Sequence, residues 1–377
     1  MFAYARFTVA GQSLLSIRLI VMVRRKYALS CTNVKMRKVP CGHLGKVGNK
    51  GAVAVAMHVL NSRFCFATAH LAAHDEKYAE RNADVQNIMA GLRSLVPPGM
   101  SPLNYYHGFF FFGDLNYRVD MPRDQVLTYL EQGDAELLQR KDQLLRAVAE
   151  GAALYGFQEG RITFLPTYRV LRGRDGFSDD KMRVPSWTDR VLWRTLPAAD
   201  VKLGAYASCP GVLTSDHRPV FAAFQIPLFK PNLPHAAEIR CCITLSGLQG
   251  TLAGPPPGSQ AQGQQQPPRF TTVAVFCPSL LDPSLPPESA PSASGQWGDS
   301  VGPIAALVAA NPSYVSARHL MLTVRADRRD VVGTACVPLA PAIGNARHSF
   351  QVYLHDERGM FVGSLAGFLS VKFAKTT

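Results

Sequence analysis

The stretch FFFFGDLNYRVD, Phe109 to Asp120, sets four phenylalanines directly before Asp114 and Asn116. A run that apolar reads as a strand buried on both faces, turned at its end by Gly113. A carboxylate and an amide two residues apart on a rigid strand end can hold a water molecule or a polar substrate at a fixed spot. Four more turns join strand-like runs to reactive side chains. GHLGKVGNKGAV carries His43, Lys46, Asn49 and Lys50 among glycines, a loop whose backbone can come close to a phosphate. Its spacing does not match GxxxxGK[ST], which excludes a nucleotide P-loop. TAHLAAH places His70 and His74 just past a strand, PSWTDRVLW places Trp187, Asp189 and Arg190 before one, and TSDHRPV does the same with Asp216 and His217. Singly, each reads equally well as a capped strand end, a structural histidine or a salt bridge. As a set of strand-adjacent polar turns, they match the needs of metal-assisted phosphoryl hydrolysis: a positioned water and positive charge around the phosphate oxygens.

GDLNYR, PSWTDRVLW and SDHRPV, in this order, with GNKGAV and HLAAHDEKYAERN ahead of them, resemble the motifs of the inositol polyphosphate 5-phosphatases. That family shares a superfamily with the DNase I-like and apurinic endonucleases. The resemblance spans roughly residues 11–225. It implies an α/β fold, a four-layered sandwich of two packed sheets with helices outside. It also implies roles: Asp114 positions or deprotonates the attacking water, and Asn116 holds the water or the phosphate beside it. His217 contacts the scissile phosphate, Asp189 orients that imidazole, and His70 is a further phosphate donor. Mg²⁺ is the implied cofactor, a hard cation bound through oxygen, with Asp216 as one ligand.

A cationic segment, FLPTYRVLRGRDGFSDDKMRVPSW, precedes Asp189. In the 5-phosphatases the matching segment grips the 4-phosphate of the inositol ring, and Tyr168, Arg169, Lys181 and Arg183 fall on the matching positions. Arg169 stands where many relatives carry Lys, which keeps the charge and changes the hydrogen-bond geometry. Asn49 and Lys50 fall where the family contacts the 1-phosphate, and Arg190 joins the implied substrate-binding set. The family pattern also brings an Asn on one upstream strand and a Gln-Glu pair on a second, whose Glu binds the metal. Residues 1–30 contain no Asp or Glu, and FQEG at 157–160 lies between the wrong motifs. The catalytic domain is therefore expected to be incomplete at its N-terminus, lacking its main metal carboxylate.

The elements that must position these groups alternate in type. SIRLIVMVR, GAVAVAMHVL, RFCFATAHL, RVLWR and PVFAAFQI read as strands. DEKYAERNADVQNIMAGLRSL reads as a helix with Tyr78, Val85, Ile88, Met89 and Leu92 on one face, and a helix pair broken near Gly133 follows the site strand. This is an α/β domain over residues 1–228. Residues 229–377 change character to short alternating runs, expected as an antiparallel β-sandwich with disordered low-complexity loops near 253–268 and 278–298. A 5-phosphatase followed by a C2-like sandwich resembles the phosphatidylinositol 3,4,5-trisphosphate 5-phosphatases that pair these domains.

The formal net charge is +13, from 40 Lys and Arg against 27 Asp and Glu, and most of the excess lies before residue 230. Such a surface attracts anions: nucleic acid, a phosphorylated small molecule or an acidic membrane. The motif set selects a phosphoinositide lipid or inositol polyphosphate, with peripheral contact to acidic membrane, no nucleic acid, and protein partners through the C-terminal domain. Eight cysteines without a CxxC pair give no zinc or disulfide pattern, so a reducing, cytoplasmic setting is expected. LLSIRLIVMV is too short to span a bilayer and carries Arg18. The leading function is a Mg²⁺-dependent phosphoinositide 5-phosphatase acting on the 4,5-bisphosphate or 3,4,5-trisphosphate. The alternatives are a phosphoinositide-binding pseudophosphatase or scaffold and, third, a DNase I-like endonuclease.

Overall fold

The computed structural model describes residues 6–42, 49–98, 100–197, 199–229, 239–252, 272–277, 296–298, 304–305, 312–316, 318–326 and 330–375. The chain forms two compact units: Met1–Leu95, Tyr106–Thr195 and Asp200–Leu228 make the first, and Val96–Tyr105, Leu196–Ala199 and Phe229–Thr377 make the second.

The first unit opens with an antiparallel hairpin, β1 (Arg6–Leu14) and β2 (Ile17–Arg24). A six-stranded sheet follows, built from β3 (Cys31–Pro40), β4 (Gly51–Val59), β5 (Ser62–His70), β6 (Gly108–Asp114), β7 (Gln158–Glu159) and β8 (Asp189–Thr195) in the order β3-β4-β5-β6-β8-β7. A second hairpin, β9 (Lys202–Ser208) and β10 (Val220–Gln225), closes the unit. Helices α1 (Tyr78–Gly91), α3 (Arg123–Glu131), α4 (Ala135–Gln139) and α5 (Gln143–Ala149) connect the strands, α2 (Pro102–Tyr105) falling in the second unit. The expected helix pair broken near Gly133 is three short helices, one before that glycine and two after it. Asp134 and Asp142 cap two of them by accepting from the amides of Leu137 and Leu145.

The phenylalanine run owes its composition to being covered on both faces. Phe110 packs with Phe64 and Trp193 beneath Leu203 and Phe224 of the β9–β10 hairpin. Phe112 meets Ile17 and Leu19 of the β1–β2 hairpin. On the opposite face Phe109 and Phe111 lie edge-on to Phe157, with ring centroids 5.5 and 6.5 Å apart. Each fully buried phenylalanine contributes about 2–3 kcal/mol by area removed from water. Where two packed sheets are expected, the layer facing the six-stranded sheet consists of these two hairpins, which are not hydrogen-bonded to each other among the described residues.

The second unit is an antiparallel path of β11 (Ile239–Leu252), β12 (Thr272–Phe276), β13 (Gln296–Gly298), β14 (Ile304–Ala305), β15 (His319–Ala326), β16 (Asp330–Pro338), β17 (His348–His355) and β18 (Phe361–Lys375), with the short helix α6 (Pro312–Ser316). Its strands share one core that includes Ile243, Leu245, Val275, Leu322, Val337 and Leu365. The strands join edge to edge in one path around that core, with β16 and β17 linked through the single pair Thr334–His355. Residues 253–271 and 278–295, where loops are expected, lie outside the described residues. Gln296–Gly298 departs from the loop expectation by pairing with β11, because Trp297 inserts into the core. Asn104 Nδ2 donates to Thr334 Oγ1 at 2.9 Å, which places α2 in this unit although it precedes the expected boundary at 228.

Candidate active site

Strand register assembles the site. Parallel pairing of β5 with β6 sets His70 opposite Asp114, and antiparallel pairing of β6 with β8 sets Asp114 opposite Asp189. Adjacent strands lie about 4.8 Å apart. Three residues distant in sequence thus become neighbours on one sheet end. Backbone bonds from Leu71 N to the Asp114 carbonyl (3.1 Å) and from Leu115 N to the Thr188 carbonyl (2.7 Å) pin the ends together. Gly113 makes the turn possible: its φ is +129°, and a Cβ there would lie 2.2 Å from the Ala69 carbonyl oxygen.

His217 reaches the row from a separate loop. Its Nδ1 lies 2.9 Å from Asp189 Oδ2, and Thr167 and Thr188 donate to the same oxygen at 2.7 and 3.0 Å. Tyr168 pairs its backbone with Ser186 and with His217, and the Tyr168 and His217 rings lie 4.6 Å apart. His70 Nε2 lies 3.2 Å from Asp114 Oδ2, and Lys50 Nζ makes a short contact to the same imidazole nitrogen. All four side chains of the row remain reachable: His70 and Asp114 keep 28% and 22% of their surface, His217 and Asp189 27% and 21%.

The charges respond to this packing. Burial pushes the Asp114 carboxyl up, but the His70 hydrogen bond and the charges of His217, His70 and Lys50 outweigh it, so its pKa falls below the ordinary value. Burial pulls the His217 imidazole down, yet the Asp189 bond and the charges of Asp189, Asp114 and Asp216 raise it overall. Burial lowers Lys50, with Asp114 partly offsetting it. The result is an ionised carboxylate set among the His70 imidazole, the Lys50 ammonium and the His217 imidazole, an arrangement that can hold a water molecule against a phosphate.

Asn116 is close but otherwise engaged. It sits at φ +57°, Nδ2 donates to the Leu71 carbonyl at 3.1 Å, and Oδ1 accepts from Arg118 Nη2 at 2.6 Å. It is 4% exposed, so it braces the loop that presents Asp114, whose Oδ1 accepts from the Asn116 amide. Arg118, Thr167 and Thr188 were missed as supports from sequence. Arg118 and Thr188 stand inside the quoted motifs, and Thr167 directly precedes Tyr168.

The basic segment gathers beside the row. Arg183 Nη2 donates to His74 Nδ1 at 3.0 Å, and Lys181 is exposed in a left-handed turn, φ +58°. Asn49 is exposed and Lys50 half-buried, while His43 and Lys46 lie outside the described residues. Arg169 is drawn away from a purely substrate-facing role: it ion-pairs with Asp180 and donates from Nε to Asp216 Oδ2 at 3.2 Å.

Two expectations are corrected. Arg190 does not reach substrate: its guanidinium is fully buried, 3.0 Å from both Asp142 oxygens and 2.6 Å from each Glu159 oxygen, behind the sheet end. Asp216 does not stand free as a metal ligand, because its oxygens accept from Arg169 and Arg172, the latter at 3.0 Å; burial pushes its carboxyl up, but the Arg172 bond, a backbone hydrogen bond and the His217 charge outweigh it and hold its pKa low. A hard divalent cation wants several oxygen ligands. Among the described residues no three His, Cys, Asp or Glu side chains converge to hold a metal. The residues present therefore do not fit Mg²⁺ on their own, and such an ion would need carboxylate oxygens beyond Asp114.

Known proteins are similar to this chain in sequence and fold. The phosphatidylinositol 3,4,5-trisphosphate 5-phosphatase 2 of Homo sapiens is 29% identical over 97% of this chain, and the human 5-phosphatase 1 of the same description is 30% identical over 88%. The chain spans about 30% of the length of these curated relatives. The crystal structure of the inositol polyphosphate 5-phosphatase domain of a synaptojanin, in complex with inositol (1,4)-bisphosphate and calcium ion, is 33% identical. It aligns with a TM-score of 0.55 over 60% of this chain and 64% of that one. The profile described as Endonuclease/Exonuclease/phosphatase family 2 matches residues 4–223, more than half the chain. With the His70–Asp114–Asp189 row at the sheet end and the DNase I-like α/β fold around it, the chain belongs to the endonuclease/exonuclease/phosphatase family 2.

Proposed function

We propose that this chain is a phosphoinositide 5-phosphatase, removing a phosphate monoester from the inositol ring of a polyphosphorylated lipid or its headgroup. The observation that carries the reading is the register of His70, Asp114 and Asp189 on adjacent strands with His217 hung on Asp189. The names of the relatives and the bound inositol phosphate of the structural neighbour support the substrate class.

In this reading Asp114 orients a water and accepts its proton as the water oxygen bonds to phosphorus; the P–O bond to the ring breaks, and the leaving ring oxygen takes a proton from solvent to become a hydroxyl group. His217, positively charged and turned by Asp189, donates from Nε2 to the phosphate as charge builds on its oxygens. Lys50 gives further positive charge on the Asp114 side with His70 as a hydrogen-bonding neighbour, and Arg183, Lys181 and Tyr168 form the neighbouring wall. The 4,5-bisphosphate and 3,4,5-trisphosphate lipids are the proposed substrates, met at an acidic membrane surface from the cytoplasm. Mg²⁺ is kept as part of the proposal only for a site supplied with more oxygen ligands than those described.

The test is phosphate release from inositol 1,4,5-trisphosphate and from vesicles containing phosphatidylinositol 3,4,5-trisphosphate, with and without added Mg²⁺. No release under either condition sinks the catalytic reading. The sparse oxygen donors favour one second reading, a phosphoinositide-binding protein without turnover. Titration calorimetry separates the two: binding without release supports it, and release that is lost in Asp114→Asn rules it out.

A further inference from the structure

His74 has no part in the row at the sheet end, yet the structure builds a place for it. The buried Arg81 donates from Nη1 to the carbonyls of His74 (2.6 Å) and Ala72 (3.1 Å), and from Nη2 to that of Asp75 (3.2 Å). These bonds hold the loop between β5 and α1 and keep His74 at φ +81°, a conformation non-glycine residues seldom adopt. The imidazole is left exposed beside the basic segment.

Its hydrogen-bond partner fixes its tautomer. Arg183 Nη2 lies 3.0 Å from His74 Nδ1, and a guanidinium only donates. Nδ1 is therefore the acceptor of this bond, which leaves the ring's N–H on Nε2. Asp75 steadies the same guanidinium from the other side, its Oδ2 3.9 Å from Arg183 Nη1 and its Oδ1 3.5 Å from Arg118 Nη1. Arg118 in turn lies 4.6 Å from the centre of the Tyr168 ring, whose neighbour is His217. A continuous line of contacts thus runs from His217 to His74.

We propose that His74 is a specificity-determining residue, whose Nε2–H donates to the phosphate next to the scissile one on the ring, beside Arg183. The inference rests on the phosphoinositide phosphatase reading and deepens it. Arg183 contributes the charge and sets the tautomer, while His74 contributes a directed hydrogen bond. A ligand lacking the neighbouring phosphate leaves that donor unused.

His74→Gly removes the imidazole at a backbone angle that glycine adopts freely, so the fold is not at risk. Affinity and phosphate release are measured on the full chain with inositol 1,4,5-trisphosphate and inositol 1,5-bisphosphate. The variant is expected to bind the trisphosphate about tenfold more weakly, the size of one hydrogen bond to a charged group, and the bisphosphate unchanged. His74→Asn, which tolerates the same backbone angle and keeps an N–H donor, is expected to recover most of the loss. An equal loss on both ligands, or none on the trisphosphate, overturns the proposal. A wild-type chain that neither binds nor cleaves either ligand defeats the phosphatase reading itself, and this inference with it.

Discussion

Asp189 Oδ2 lies 2.9 Å from His217 Nδ1, although 28 positions separate the two residues along the chain. One comes from the start of β8 and the other from the loop before β10. Thr167 and Thr188 crowd the same carboxylate oxygen, so Asp189 is aimed before any substrate arrives.

That pair has a pH signature. Despite burial, which opposes it, the Asp189 bond raises the His217 pKa above its ordinary value. The imidazolium therefore stabilises the folded state fully below the unfolded value of about 6.5 and loses that contribution as pH rises through the folded value. Asp189→Asn should move the His217 titration to lower pH in proton NMR and flatten the fall in stability above about pH 6.5. A His217 titration that stays put in the variant would contradict the role assigned to Asp189.

Asp114 carries the opposite sign. Burial raises its pKa, but His70, His217 and Lys50 bring it below the ordinary value, so its stabilising contribution is present above about pH 3.9 and is lost as pH falls through the folded value. Asp114→Asn should lower turnover by about 10²–10⁴-fold, the range for a positioned proton acceptor. Headgroup affinity, read by calorimetry, should hold or improve, because a negative charge facing the phosphate is removed.

Gly113→Ala tests the turn itself. The added Cβ meets the Ala69 carbonyl at 2.2 Å, in a backbone region that costs an alanine about 1–3 kcal/mol before any clash is counted. Urea unfolding should show at least that loss, and turnover should fall with it because Asp114 is the next residue. A variant as stable as the parent would place the turn elsewhere.

Arg190 tests the buried support. Its guanidinium is shared by Asp142, which also caps α5, and by Glu159. Arg190→Met leaves two buried carboxylates unpaired and should cost about 3–5 kcal/mol in unfolding experiments. Arg190→Lys keeps the charge without the fork that serves both partners, so it should recover only part of the loss. If either variant changed substrate affinity with stability intact, Arg190 would have to touch the ligand after all.

Much of this was readable in the order of residues, for local reasons. Four phenylalanines before a glycine can hardly be other than a doubly covered strand, and polar groups directly after it must sit at its end. The periodicity of Val85, Ile88 and Met89 announced α1. The strand Cys31–Pro40 gave no such signal, because it is an edge strand whose residues are mostly exposed, with Lys35, Arg37 and Lys38 interrupting its apolar pattern. Arg190 and Asp216 were misjudged for a related reason: a letter beside an active-site motif does not say whether its charge faces the ligand or the protein.

The amino-acid sequence by itself determined which chemical groups stand at strand ends and which strands are buried, since both depend on neighbours along the chain. Tertiary structure alone decided who meets whom: register, a property of paired strands, put His70, Asp114 and Asp189 in one row. Long-range packing gave His217 to Asp189, Arg190 to Asp142 and Glu159, and His74 to Arg183. Those partners are set by distances across the fold, which no local pattern encodes.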